Sequence, residues 1–230
     1  MLGWRARTGM HARMSALSGS LSYARFFIEK ELPKNLSPRG GTAIELNKAH
    51  DSIVAHAMRP LHPDEPETER SGWCVMGEAL DVSMPNERVF LDGYINLGFR
   101  TDKWAIPGPL LKTKVREAEA AYKLRSGRER LGKREKAELK EVVTRELRRK
   151  LVPSTRVIDL TWSLEEGLVR FFSHSERVTN AMAELFEKTF KLPLTHESPF
   201  TLSQRLGLSD AEIHAWENLE MTDLTSEGAR

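Results

Sequence analysis

Between Lys112 and Lys150 the chain gathers basic side chains at spacings that could grip a polyanion. Lys112, Arg116 and Lys123 share one helical face, with Glu119 among them. Arg125, Arg128, Arg130, Lys133 and Arg134 cluster where Ser126-Gly127 and Gly132 interrupt the helical pattern. Lys140 leads to Arg145, Arg148, Arg149 and Lys150 near the end of a second helical stretch. From Lys103 to Lys150 there are 16 lysines and arginines against 7 acids, a net charge of +9. The whole chain carries only +2, so all the rest is net acidic. Basic side chains that neutralise phosphates release counterions, so such a stretch suits a nucleic-acid backbone and binds it in a salt-dependent way. Phosphate contacts position a duplex without reading its bases. The competing account is a solvated helix pair braced by i,i+4 ion pairs such as Glu119–Lys123 and Glu141–Arg145. The helix macrodipole favours cations from Arg145 to Lys150 in any case, but it does not explain the Arg125–Arg134 cluster.

Other chemistries find less support. His50, His56 and His62 recur every six residues, which suits neither one helix face nor a usual zinc spacing. Asp159, Glu165 and Glu166 flank a strand and a turn, where a metal-dependent nuclease would need converging carboxylates. Gly40-Gly41 lacks the lysine and spacing of a phosphate loop, and no serine sits in a nucleophile elbow. The expectation is a protein that is not an enzyme and uses no cofactor or metal. Thr201 to Glu212 superficially resembles the first half of a helix-turn-helix. Leu206 to Ala229, however, holds no lysine or arginine and several acids, which a DNA groove repels. Trp73, Trp104 and Trp162 stand beside apolar runs and read as core residues rather than base-stacking platforms.

The elements that must position the basic stretch follow from periodicity. With 230 residues, 40% of them hydrophobic, the chain can bury a substantial core. Its one cysteine, Cys74, lies in an apolar run, so a disulfide framework is excluded and Cys74 reads as a small core residue. No apolar run reaches membrane-span length, and the basic first residues lead into no signal-peptide core, so a cytoplasmic protein is expected. Residues 1–16 read as a disordered basic tail or an upstream start, with Met14 as a second candidate start. Residues 17–103 then form a β-α-β-β part: a strand over Leu17–Glu29, a helix from Thr42 to about Met58, and a hairpin of Gly72–Leu80 with Val89–Arg100 turning at Pro85-Asn86. Residues 104–200 form the helix pair, with apolar stripes Leu111, Val115, Ala118, Tyr122 and Leu139, Val143, Leu147, Leu151. A hairpin of Val157–Ser163 with Leu168–Ser173 follows, then a helix over Ser175–Phe190. Residues 201–230 are an acidic tail. Hairpin strands with segregated helices make the fold class α+β, with antiparallel sheets packed against amphipathic helices and a central charged helix pair.

An ordered set of short motifs resembles the bacterial RdgC family of recombination-associated proteins. The set comprises Ile106-Pro107 with Leu111, Lys133-Arg134-Glu135-Lys136 with Leu139-Lys140, and Leu151-Val152-Pro153. It continues with Ile158-Asp159 and Trp162, Gly167-Leu168-Val169, Ser173 to Glu176 with its helix, Lys191-Leu192-Pro193-Leu194, and Thr201-Leu202. The likeness covers about residues 104–206, and residues 17–100 by element order alone. It implies a homodimeric, nucleoid-associated protein in the cytoplasm that encircles duplex DNA without sequence specificity and restrains a RecA-type recombinase. Single strands are a second candidate form of DNA. This chain has Ser154-Thr155-Arg156 where the family usually has Arg-Ala-Phe, and its Pro153–Gly167 segment is shorter. The likeness also stops where family members continue into a further C-terminal portion, so a shortened member is expected, with a closed ring, a clamp or an open dimer as its form. A protein-interaction module that docks a partner through the charged helices or the acidic tail, without a DNA role, is the alternative.

Overall fold

A computed structural model describes residues 22–28 and 43–218. The strand expected over Leu17–Glu29 lies partly outside these residues, as do the basic tail over residues 1–16 and the acidic segment from residue 219 onward.

Among the described residues, seven strands form one antiparallel sheet. They are β1 (Ala24–Ile28), β2 (Glu69–Cys74), β3 (Phe90–Leu91), β4 (Tyr94–Lys103), β5 (Ser154–Ser163), β6 (Leu168–Phe171) and β7 (Leu194–His196). The order across the sheet is β2-β4-β5-β6-β1-β7, with β3 also paired to β4. β4 pairs with β5 along its whole length, Tyr94↔Ser163 to Lys103↔Ser154. β2 takes the other side of β4 from Gly98 to Lys103, and β3 takes the same side at Tyr94 and Ile95. Strands from both halves of the chain therefore share one sheet, and the fold is α+β.

The helices are α1 (Ala43–Ala55), α2 (Asn86–Val89), α3 (Gly108–Ser126), α4 (Lys133–Arg148), α5 (Glu176–Phe190), α6 (Pro199–Arg205) and α7 (Asp210–Glu217). Alternation along the strands sends Ile95, Leu97 and Phe99, Ile158, Leu160 and Trp162, and Val169 and Phe171 to one face. α1 and α5 cover that face, contributing Ile53, Met182, Phe186 and Phe190 to the core. Trp162 packs edge-on against Phe186 and Phe190, each ring centroid 5.1 Å away. Trp73 is fully buried, and its Nε1 donates to Thr189 Oγ1 at 2.8 Å. All three tryptophans named as core residues are buried.

The other face carries a polar network. Arg100 donates to both oxygens of Asp102, at 2.9 and 2.6 Å, and to the Ala79 carbonyl at 3.0 Å. Thr155 donates to Asp102 as well, at 2.8 Å. Both members of this ion pair are buried and hydrogen-bonded, which is the condition for keeping charges out of water.

Three sequence expectations need correction. The strand placed over Gly72–Leu80 begins and ends earlier, at Glu69 and Cys74, because the chain turns back at once through Val75–Asp81. Pro85-Asn86 opens the short helix α2 rather than a hairpin turn. The tight hairpin joins β3 to β4 through Asp92-Gly93, both at positive φ, 50° and 78°, the pair that two-residue hairpin loops favour.

Candidate nucleic-acid interface

α3 and α4 form the connection between β4 and β5. Lys103 and Ser154 are direct sheet partners, so residues 104–153 leave the sheet and return to adjacent positions. α3 starts after Pro107, whose fixed φ of −59° suits a helix entry, and ends at Gly127 in the left-handed region. α4 runs from Lys133 to Arg148 rather than to Leu151. At about 1.5 Å per residue, helices of 19 and 16 residues make an arm on the order of 25–30 Å long. No residue of α3 is buried, and its stripe of Leu111, Val115, Ala118 and Tyr122 is half-buried on the side of α4.

One carboxylate organises the tip. Glu135 accepts the Gly132 N–H at 2.8 Å, Arg128 at 3.0 Å and the Tyr122 hydroxyl at 3.3 Å. It thereby ties the end of α3, the loop and the start of α4 together. These contacts hold its carboxyl below the usual range, the Gly132 amide contributing most, with Arg128 and Tyr122 adding to it. Leu131 tucks in as the one buried residue of the loop.

At the base, the loop of residues 60–68, which carries Pro60, Pro63 and Pro66 with Asp64, Glu65 and Glu67, clamps α4. Asp64 bridges Arg149 at 2.8 Å and lies 3.9 Å from Arg145. Arg148 is buried and donates to the Glu65 carbonyl at 2.7 Å. Arg148 thus belongs to the anchor and is withdrawn from the solvent-facing cations. The sequence pointed to Tyr122 only as a stripe residue and to Glu135 only as part of a motif, and Asp64 and Glu65 not at all, because acids in a loop or on a charged helix look like solvated surface. The capping position of Glu135, three residues after Gly132, was the signal that could have marked it.

The remaining cations divide by partner. Arg128 pairs with Glu135, and Arg134 with Glu138 at 2.9 Å. Arg125 lies over the Tyr122 ring, 6.0 Å from its centroid. Lys112, Arg116, Lys123, Arg130, Lys133, Lys140 and Lys150 form no ion pair among the described residues. The braces Glu119–Lys123 and Glu141–Arg145 are not made; Lys114–Glu117 and Arg134–Glu138 stand instead. The arm therefore presents more positive charge than its own acids cancel, and most of it is exposed.

The residues weighed for other chemistry do not converge. Asp159 is buried mid-strand opposite Gly98, whereas Glu165 and Glu166 are exposed at the β5–β6 turn and Glu166 holds Arg170. His50 donates to the Met84 carbonyl at 2.6 Å, and His56 Nδ1 lies 2.8 Å from the Ser52 carbonyl. Among the described residues no cluster of three metal-ligating side chains occurs, and no helix is long and apolar enough to cross a membrane. α6 and α7 do sit as two short helices around Gly207, and α7 carries Asp210 and Glu212 in its first turn.

No protein-family model matches the chain, and no curated protein matches it.

Proposed function

We propose that the chain binds DNA through its phosphate backbone, with the α3–α4 arm as the contact, and that a dimer on DNA denies a RecA-type recombinase its track. The observation that carries this reading is the arm itself, a projecting helix pair with unpaired cations along both helices and around its tip. Two helices side by side span about 20 Å. That is wider than the roughly 12 Å major groove, so the arm meets phosphates rather than base edges. Binding without sequence preference follows. The resemblance to the RdgC family supports the recombination setting, the homodimer and a place on the nucleoid, and leaves ring, clamp or open dimer to be distinguished.

The test is duplex affinity against salt for the wild type and for a variant with Arg125, Arg130 and Lys133 changed to Glu. These three make no ion pair, so their reversal leaves the Glu135 tip contacts in place. The wild type is expected to lose affinity steeply with salt, and the variant to flatten the log–log slope by about one for each phosphate it no longer neutralises. No duplex binding by the wild type at low salt would move the function to the protein-interaction alternative, and equal slopes for the two proteins would take the DNA contact off the tip of the arm.

A further inference from the structure

Three guanidinium groups meet at the C-terminal end of α4, and the body offers them a single carboxylate. Asp64 takes Arg149 at 2.8 Å and stands 3.9 Å from Arg145, too far for a hydrogen bond. Arg148 has no acidic partner among the described residues. It reaches only the Glu65 carbonyl, and its Nε is buried without a hydrogen bond. A buried charge ordinarily has a counter-charge and a full set of hydrogen bonds. The base of the arm therefore holds more positive charge than its surroundings cancel, and the carbonyl end of α4 offsets only about half a unit of it.

The other acids of the loop are committed elsewhere. Arg70 of β2 holds Glu65 at 2.6 Å and Glu67 at 2.8 Å. Buried Leu61 and the Thr68 carbonyl, which accepts the Trp104 N–H at 2.9 Å, pin the two ends of the loop. Asp64 alone is left for the arm, with His62 Nδ1 3.8 Å from its second oxygen. Asp64, Arg145 and Arg149 are each about half exposed. Ion pairs so open to water are weak, so a competing anion displaces them readily.

We propose that the base of the arm is a second phosphate contact, masked in the free protein by Asp64, whose carboxylate stands where a phosphate of bound duplex would sit. The inference rests on the DNA reading of the arm and adds a contact that the protein itself keeps covered. An entering phosphate displaces the carboxylate and takes the forks of Arg149 and Arg145 by charge-assisted hydrogen bonds. Arg148 stays buried in the anchor and contributes its field rather than a contact.

Duplex affinity against salt tests this with Asp64→Asn and a control of equal charge change, Glu67→Gln. Asp64→Asn lies on an exposed part of the loop and should melt close to the wild type. It is expected to bind duplex about fivefold to tenfold tighter at low salt, with a log–log slope steeper by about one for each phosphate unmasked. Glu67→Gln removes the same charge from the same loop but leaves Asp64 on the arm, so its slope should match the wild type. With Arg145 and Arg149 both changed to Gln, adding Asp64→Asn should alter nothing, because no cation remains to unmask. The masking fails, with the DNA reading intact, if the wild type binds duplex and Asp64→Asn binds it with the same affinity and slope. It fails equally if Glu67→Gln tightens binding as much, or if Asp64→Asn still tightens it without Arg145 and Arg149. Duplex bound by neither the wild type nor Asp64→Asn at low salt overturns the masking and the DNA reading together.

Discussion

Gly72 on β2 shows how much a single position can decide. A Cβ there would lie 2.5 Å from the Met58 backbone, where the chain leaving α1 bridges to Trp73 and Met58 N–H bonds the Trp73 carbonyl at 2.8 Å. The obstacle is main chain and cannot rotate away, so Gly72→Ala is expected to destabilise by about 1–3 kcal/mol, measured by denaturant unfolding. Gly108→Ala is the control: nothing lies within 4 Å of its Cβ, and alanine suits a helix better, so no loss is expected. Cys74 makes a second case. It is fully buried, and burial pushes its thiol up to about 12. At pH 8 the thiol is protonated and out of reach, so a disulfide exchange reagent should label it only after unfolding. The sequence suggested a core role for Cys74 from its apolar neighbours, but Gly72 looked like a strand residue of no consequence. Nothing local announces that a chain segment from before β2 will pass across it.

Among the elements, those whose pattern was decided by their own residues could be read directly. α5 has its apolar residues on one face and Ser175 before its first turn, and it begins within one residue of expectation. The β5–β6 hairpin turns where Glu165-Glu166-Gly167 marks it, with Gly167 at a φ of 64°. The hairpin at Asp92-Gly93 was passed over as one strand from Val89 to Arg100, because the two-residue strand before it leaves no periodicity to see, although Asp-Gly is itself a hairpin signal. The arm was legible as two helices, whereas its internal ties were not, since Tyr122, Arg128 and Glu135 meet only once the helices pair. Those ties give a prediction with a definite sign. The carboxyl of Glu135 is held below its ordinary value of 4.5 by contacts made in the folded arm. Its contribution is therefore full above about pH 4.5 and fades as the pH falls through the lower folded value. Amide exchange at Gly132, corrected for intrinsic rates, should be steady from pH 8 to about 5 and accelerate in acid. In Glu135→Gln the amide still accepts from Gly132 but no longer holds Arg128 by charge, so the tip should exchange faster and the acid step should vanish.

On the scale of the whole molecule, the sheet and the arm are two constructions joined at one place. The core lies between the sheet and α1 with α5, while the arm leaves from Lys103 and returns to Ser154 one strand spacing away. Its charge was visible in the sequence, but its independence was not, because that depends on β4 and β5 pairing at both ends of a long excursion. The arm touches the body chiefly through the base, where Asp64 and Glu65 hold Arg145, Arg148 and Arg149, and where Val143 and Leu147 are buried. Replacing residues 105–153 with a short Asn-Gly turn closes β4 and β5 as an ordinary hairpin. The shortened protein is expected to fold, with the near-ultraviolet circular dichroism of the packed core tryptophans retained. It should melt lower, because Trp104 is buried at the arm's departure, and uncovering a large side chain costs about 1.5–3 kcal/mol. Duplex affinity should fall to background at all salt concentrations, since the net charge left behind is acidic. A shortened protein that folds and still binds DNA would place the binding surface on the sheet, and the row of Arg25 and Arg170 opposite α1 and α5 would be the surface to test next.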